Sequence, residues 1–137
     1  MPQQDVTGPR VLVADDEVAM CVALGAALRE NGFGVDCVHS GPDAVARLAA
    51  AGYAAAIIDL WLPGLDGLQV LKAARAQHPG MPLVAISGGG PRLSLEAAHR
   101  LAEVCGADQV FIKPFDDEAL VRRLKDLLAP PQEETAS

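Results

Sequence analysis

The sequence predicts an α/β chain: a five-stranded parallel sheet, doubly wound, with helices on both faces. Three observations carry that expectation. Five short apolar runs alternate with five stretches whose apolar residues recur at helical spacing. Four of the five runs are mostly apolar throughout rather than alternating, as parallel strands covered on both faces must be. Capping residues and glycines fall between the runs, where helices should start and stop.

The elements follow in order. "RVLVAD" (10–15) is the first strand and ends in acid. "DEVAMCVALGAALRENG" is the first helix, with Val22, Ala26 and Leu28 expected on its apolar face and Gly32 as its break. "GVDCVH" (34–39) is more mixed and suits a sheet edge. Ser40 is a plausible N-cap for the helix running to Gly52, and "AAAIID" (54–59) is the third strand. Asp66 is placed to cap the next helix, which breaks near Gly80, and "PLVAIS" (82–87) is the fourth strand. A helix within 92–106 ends at Gly106, and "QVFIK" (109–113) is the fifth strand. Asp116 caps the last helix, whose Leu120, Leu124, Leu127 and Leu128 form a core stripe. Right-handed crossovers then give three layers. Residues 10–129 form one domain, with flexible tails expected at 1–9 and 130–137.

A length of 137 residues suits one domain. Half the chain is hydrophobic but only 4% is aromatic, so Ala, Val and Leu must build the core. The net charge of −7, with no stretch rich in Lys and Arg, argues against direct contact with nucleic acid. Cys21, Cys37 and Cys105 are odd in number, lack metal spacing and lie in apolar segments. They read as buried, reduced thiols of a cytoplasmic protein. His39, His78 and His99 show no paired spacing and read as surface residues. There is no signal-peptide pattern and no apolar run of about 18 residues, so no membrane partner is expected.

In an open parallel sheet, ligands sit beyond the carboxyl ends of the strands. Those ends carry Asp15 and Asp16 followed by Glu17, then Asp59, Ser87 and Lys113. Singly, each has a bland reading: helix caps, a strand end, a turn serine before glycines, a solvated lysine. Together they fall on one edge. Carboxylates about 4 Å apart repel by roughly 4 kcal/mol per pair at an effective dielectric of about 20. A hard divalent cation, Mg²⁺ especially, suits such a cluster, and Lys113 adds positive charge. A metal, a lysine and a hydroxyl around one carboxylate are what phosphoryl transfer to that carboxylate requires.

These residues resemble a known family. "VADDE", Asp59 in "DLWLPGLDG", Ser87 in "AISGG" and Lys113 in "IKPF", in order over about residues 10–129, look like a receiver domain of bacterial two-component response regulators, of the stand-alone type. The resemblance implies a flavodoxin-like (βα)5 fold with strand order 2-1-3-4-5. It implies that Asp59 accepts a phosphoryl group from a phosphohistidine of a sensor histidine kinase or a histidine phosphotransfer protein. Asp15, Asp16, Asp59 and the backbone carbonyl of Trp61 would hold Mg²⁺. Ser87 would hydrogen-bond the phosphoryl group and Lys113 would ion-pair with it. Pro114 would follow a cis peptide bond. Such a domain is a signalling phosphoacceptor, catalysing only its own phosphorylation and slow dephosphorylation, and it acts on an output protein in trans. A homodimer is left open.

Two features depart from the family pattern. Val110 stands where the family usually carries an aromatic switch residue, and Phe111 next to it must point to the opposite face. The stretch from Ser87 to Lys113 is a few residues longer than is common. With Val110 unable to rotate as a ring, the switch is expected in the loop Gly88–Pro91. Trp61 and Gly89 are expected to favour a long-lived phosphoryl group, by shielding it and by failing to position water. A haloacid dehalogenase-type phosphatase is the runner-up; it would place its nucleophile after the first strand and needs a hydroxyl residue that is absent here. A flavodoxin-like FMN binder is a third reading, set against the acids that follow strand one.

Overall fold

A computed structural model describes residues 8–88 and 94–129. Strand and helix alternate: β1 (Arg10–Ala14), α1 (Val18–Glu30), β2 (Gly34–Val38), α2 (Gly41–Ala50), β3 (Ala55–Asp59), α3 (Gly67–Gln77), β4 (Leu83–Ser87), α4 (Leu95–Val104), β5 (Gln109–Ile112) and α5 (Asp117–Leu128). All strand pairs are parallel, in the order β2-β1-β3-β4-β5. β3 and β4 are buried at every residue, whereas β2 and β5 are only partly covered, as edge strands should be. The mixed composition of β2 thus reflects its edge position.

Alternation along each strand divides the core in two. Leu12, Ala56, Ile58, Leu83 and Ala85 join Leu48, Leu71, Ala98 and Ala102 under α2, α3 and α4. Val11, Val13, Ala55, Ile57, Val84 and Ile86 join Leu24, Leu28, Leu120 and Leu124 under α1 and α5. Each fully buried Leu or Ile contributes about 1.5–3 kcal/mol, so truncating Ile57 to Ala, with its cavity, costs about 2–5 kcal/mol.

Ser40, Asp66 and Asp116 cap their helices as expected, accepting from the amides of Asp43, Gln69 and Glu118. Ser94 caps α4 in the same way, through the Ala97 amide. Gly32 and Gly106 take the left-handed conformation that ends a helix (φ 91° and 115°); Gly52 and Gly80 follow their helices without it.

Some expectations need correction. Val22 and Ala26 do not form the buried face of α1: Val22 is 65% exposed, and Cys21, Leu24, Ala27 and Leu28 face the sheet instead. An Ala/Val-rich helix has apolar residues all round, so periodicity alone did not select the face. Cys37 is only half-buried, because β2 is an edge strand. His78 is half-buried, with Nε2 2.9 Å from the Leu48 carbonyl oxygen. At the start of the chain, the Pro9 carbonyl accepts from the Gly34 amide, so sheet pairing begins inside the expected tail. The tail residues 1–7 and 130–137, and Gly89–Pro91 of the expected switch loop, lie outside the described residues.

Candidate phosphoacceptor site

The site is built at the carboxyl edge of the sheet from residues that end strands. β1 delivers Asp15, fully buried, whose amide donates to the Val38 carbonyl. Its Oδ1 accepts from the Glu17 amide at 2.9 Å, just ahead of α1. β3 delivers Asp59, 3% exposed, whose Oδ1 accepts from the Trp61 amide at 2.9 Å. The turn after it is pinned: the Leu60 amide donates to Ile86, and the Gly67 amide donates back to Leu60. A Cβ on Gly67 would collide with the Asp59 carbonyl and the Leu60 backbone. The "LDG" stretch therefore needs Asp66 as the α3 cap and Gly67 for close approach to β3.

Ser87 ends β4, fully buried, and its carbonyl accepts from the Lys113 amide at 2.9 Å. Lys113 follows β5, and the bond to Pro114 is cis, as the resemblance implied. Its Nζ lies 3.0 Å from Asp15 Oδ2, 3.0 Å from Asp59 Oδ2 and 2.9 Å from Glu17 Oε1. Asp16 is exposed, yet carboxylate oxygens of Asp15, Asp16 and Asp59 lie within 4.8 Å of one another. Asp15, Asp16, Asp59 and Lys113 thus converge. Trp61 is adjacent through its amide, while its side chain packs partly into the core under α2–α4 with Nε1 buried and unpartnered. Glu17, given no role from the sequence, completes the shell around Lys113; its place as the third acid of the "DDE" run was the available signal.

Four carboxylates against one ammonium leave excess negative charge. Burial pushes the Asp59 carboxyl above its ordinary range and the charge of Asp15 adds to this, while the Trp61 amide and Lys113 oppose it. Burial also works against the charge on Lys113, but Glu17, Asp15 and Asp59 outweigh it and hold the ammonium more firmly protonated than a free lysine. Asp15 Oδ2 is buried, and its contact is the ion pair with Lys113 at 3.0 Å. A buried carboxylate oxygen held by an ion pair alone, beside two further carboxylates, one open to solvent, fits a hard divalent cation that keeps several waters.

On the other edge of the question, Val110 is buried under α4 and Phe111 packs on the opposite core, edge-on to Phe115 with ring centres 5.8 Å apart. Phe111 therefore does not take the place of the missing switch aromatic.

The sequence model of the response regulator receiver domain matches residues 11–125. Transcriptional regulatory protein TcrA of Mycobacterium tuberculosis is 37% identical over 123 residues, covering 89% of this chain and 47% of that protein. The chain spans about half the length of the curated relatives it matches. A CheY-like receiver domain protein from Methanospirillum hungatei superposes with a TM-score of 0.81 at 25% identity, over 89% of this chain and 94% of that one. The receiver domain of a sensor histidine kinase from Pseudomonas aeruginosa, solved with a magnesium ion coordinated in its active-site cleft, superposes at 0.77 with 27% identity, over 89% and 98%. Neither phosphatase nor FMN chemistry is favoured by these matches. Strand order, acidic edge and family match agree, and the chain belongs to the response regulator receiver domain family of two-component signalling.

Proposed function

We propose that Asp59 is the phosphoacceptor, that Asp15, Asp16 and Asp59 with the Trp61 carbonyl hold Mg²⁺, and that Ser87 and Lys113 receive the phosphoryl oxygens. The observation that carries this is the convergence of Lys113 Nζ on Asp59 Oδ2 and Asp15 Oδ2, each at 3.0 Å, beside the buried acidic cluster. A carboxylate oxygen of Asp59 attacks phosphorus; the O–P bond forms as the P–N bond to the donor imidazole breaks, and the electron pair leaves with that nitrogen. Bound Mg²⁺ would neutralise charge on the transferring oxygens. Lys113, already protonated and aimed at Asp59, passes from carboxylate to phosphoryl oxygen without leaving the site.

The donor is a histidine kinase or a histidine phosphotransfer protein, and the phosphorylated form is read by an output protein. The family match and the transcriptional-regulator names of the relatives support this reading. The domain itself spans 10–129 and works without touching nucleic acid, given its charge of −7. Among the described residues no helix is long and apolar enough to cross a membrane.

The test is incubation with Mg²⁺ and acetyl phosphate, followed by intact mass. The parent gains one phosphoryl group and loses it in base; Asp59→Asn gains none. Labelling of the variant at the parent's rate, with the same metal dependence, overturns the assignment.

A further inference from the structure

Cys21 and Cys37 lie together although 16 residues separate them. Cys21 projects from α1 onto the sheet and is 3% exposed; Cys37 projects from the edge strand β2 and is half-buried against the same core. The Cys37 thiol donates to the Cys21 carbonyl oxygen at 3.8 Å, so its sulfur lies against the backbone of Cys21. They line a surface hollow of about 270 Å³ together with Val22, Arg29 and His39, and of the two it is the half-buried Cys37 that small solutes reach first. Cys105 is packed in the other core, under α4, and takes no part in this pair.

The pair is chemically asymmetric. Cys37 is the half-buried sulfur of the two and shares the hollow with the guanidinium of Arg29 and the ring of His39, surroundings that favour a thiolate. Cys21 is 3% exposed, packed in the core beneath that hollow. Cys37 is therefore the nucleophile and Cys21 its resolving partner.

The pair is also wired to the acidic site. The Cys21 thiol donates to the Asp15 carbonyl at 3.5 Å, and His39 Nδ1 lies 2.9 Å from the same oxygen. The Cys21 sulfur is 3.8 Å from His39 Nδ1. Moving the Cys21 sulfur toward β2 removes one partner of the Asp15 carbonyl and pulls on the first turn of α1.

We propose that Cys21 and Cys37 are a redox-modifiable dithiol that hydroperoxides convert to a disulfide joining α1 to β2, and that this disulfide changes the reactivity of the acidic site. The Cys37 thiolate attacks one peroxide oxygen. The S–O bond forms, the O–O bond breaks, and the leaving oxygen takes a proton to become water or an alcohol. The Cys21 sulfur then attacks the sulfenic sulfur of Cys37; the S–S bond forms, the S–O bond breaks, and the Cys21 proton leaves with the hydroxyl as water. Two thiols lose two electrons and the peroxide gains them.

The test uses the full chain with hydrogen peroxide, followed by alkylation, non-reducing digestion and peptide mass. The expected product is a Cys21–Cys37 linked peptide, with Cys105 alkylated, reversed by dithiothreitol. Cys37→Ser gives no linked peptide; Cys105→Ser behaves as the parent. Over-oxidation of Cys37 without a link, or a link through Cys105, overturns the proposal. This readout does not depend on phosphorylation, so it stands or falls apart from the assignment of Asp59. For the second half, labelling by acetyl phosphate is compared between reduced and oxidised parent. A change of about fivefold or more is expected, reversed by dithiothreitol and absent in Cys37→Ser. Equal rates overturn the coupling.

Discussion

The ammonium of Lys113 lies 3.0 Å from Asp59 Oδ2, joining the end of β5 to the end of β3 across the intervening strand β4. It is the one cation among the described residues that touches the buried carboxylates. Lys113→Met should leave Asp15 and Asp59 repelling without an internal counterion. The expected loss in stability is on the order of 3 kcal/mol without metal, by urea melts, with part of it restored by millimolar Mg²⁺. Labelling by acetyl phosphate should slow by at least about tenfold, because the phosphoryl oxygens lose a charge-assisted donor.

Asp59 gives the opposite sign. Its folded-state pKa is raised, by burial first and by Asp15 second. Its contribution to stability is therefore fully present below the ordinary value of 3.8 and is lost as pH rises through the folded value. At neutral pH and without metal, Asp59→Asn should melt above the parent, by about 3 °C. The difference should shrink as pH is lowered toward 4. Thermal melts at matched pH check both the sign and the window.

Trp61 reports on the metal. Its amide donates to Asp59 Oδ1, and it is the only tryptophan in the chain. Adding Mg²⁺ should change its fluorescence with saturation in the millimolar range or below. Asp16→Asn should weaken the response by about tenfold, since it removes a charged ligand while leaving the fold intact.

At the opposite end of the sheet, Arg75 ties three segments together. Its guanidinium donates to the carbonyls of Pro79 and Met81 at 2.7 and 2.8 Å, to Gly106 at 2.7 Å and to Asp108 Oδ2 at 3.0 Å. Asp108 Oδ2 in turn accepts from the Leu83 amide, at the start of β4. Arg75→Ala should cost about 2–3 kcal/mol in urea melts. Arg75→Lys should recover little of it, because an ammonium cannot reach three carbonyls and a carboxylate in one plane. The labelling rate should be unchanged, since this latch is remote from Asp59.

Much of the fold was legible because β3 and β4 are apolar at nearly every position, which only a sheet covered on both faces requires. The polar residues that interrupt this pattern, Asp59 and Ser87, close their strands, so the site could be read from where apolar runs stop. The buried face of α1 was not legible: Val18 and Val22 are as apolar as Leu24 and Leu28, and only docking on β1 and β2 decides which go inside. The role of Glu17 was hidden because ion pairing to Lys113 joins residues 96 positions apart. The Cys21–Cys37 contact was hidden for the same reason, since it depends on how α1 lies across an edge strand.

The central claim is that the phosphoryl group sits on Asp59 and no other carboxylate of the cluster. The most direct measurement is reductive trapping. After labelling with acetyl phosphate and Mg²⁺, borohydride converts an aspartyl phosphate to homoserine, and peptide sequencing by mass reads its position. Homoserine at position 59, dependent on both phosphodonor and Mg²⁺, is the expected result. Homoserine at 15 or 16, or none anywhere in a chain shown to be labelled, would contradict the account.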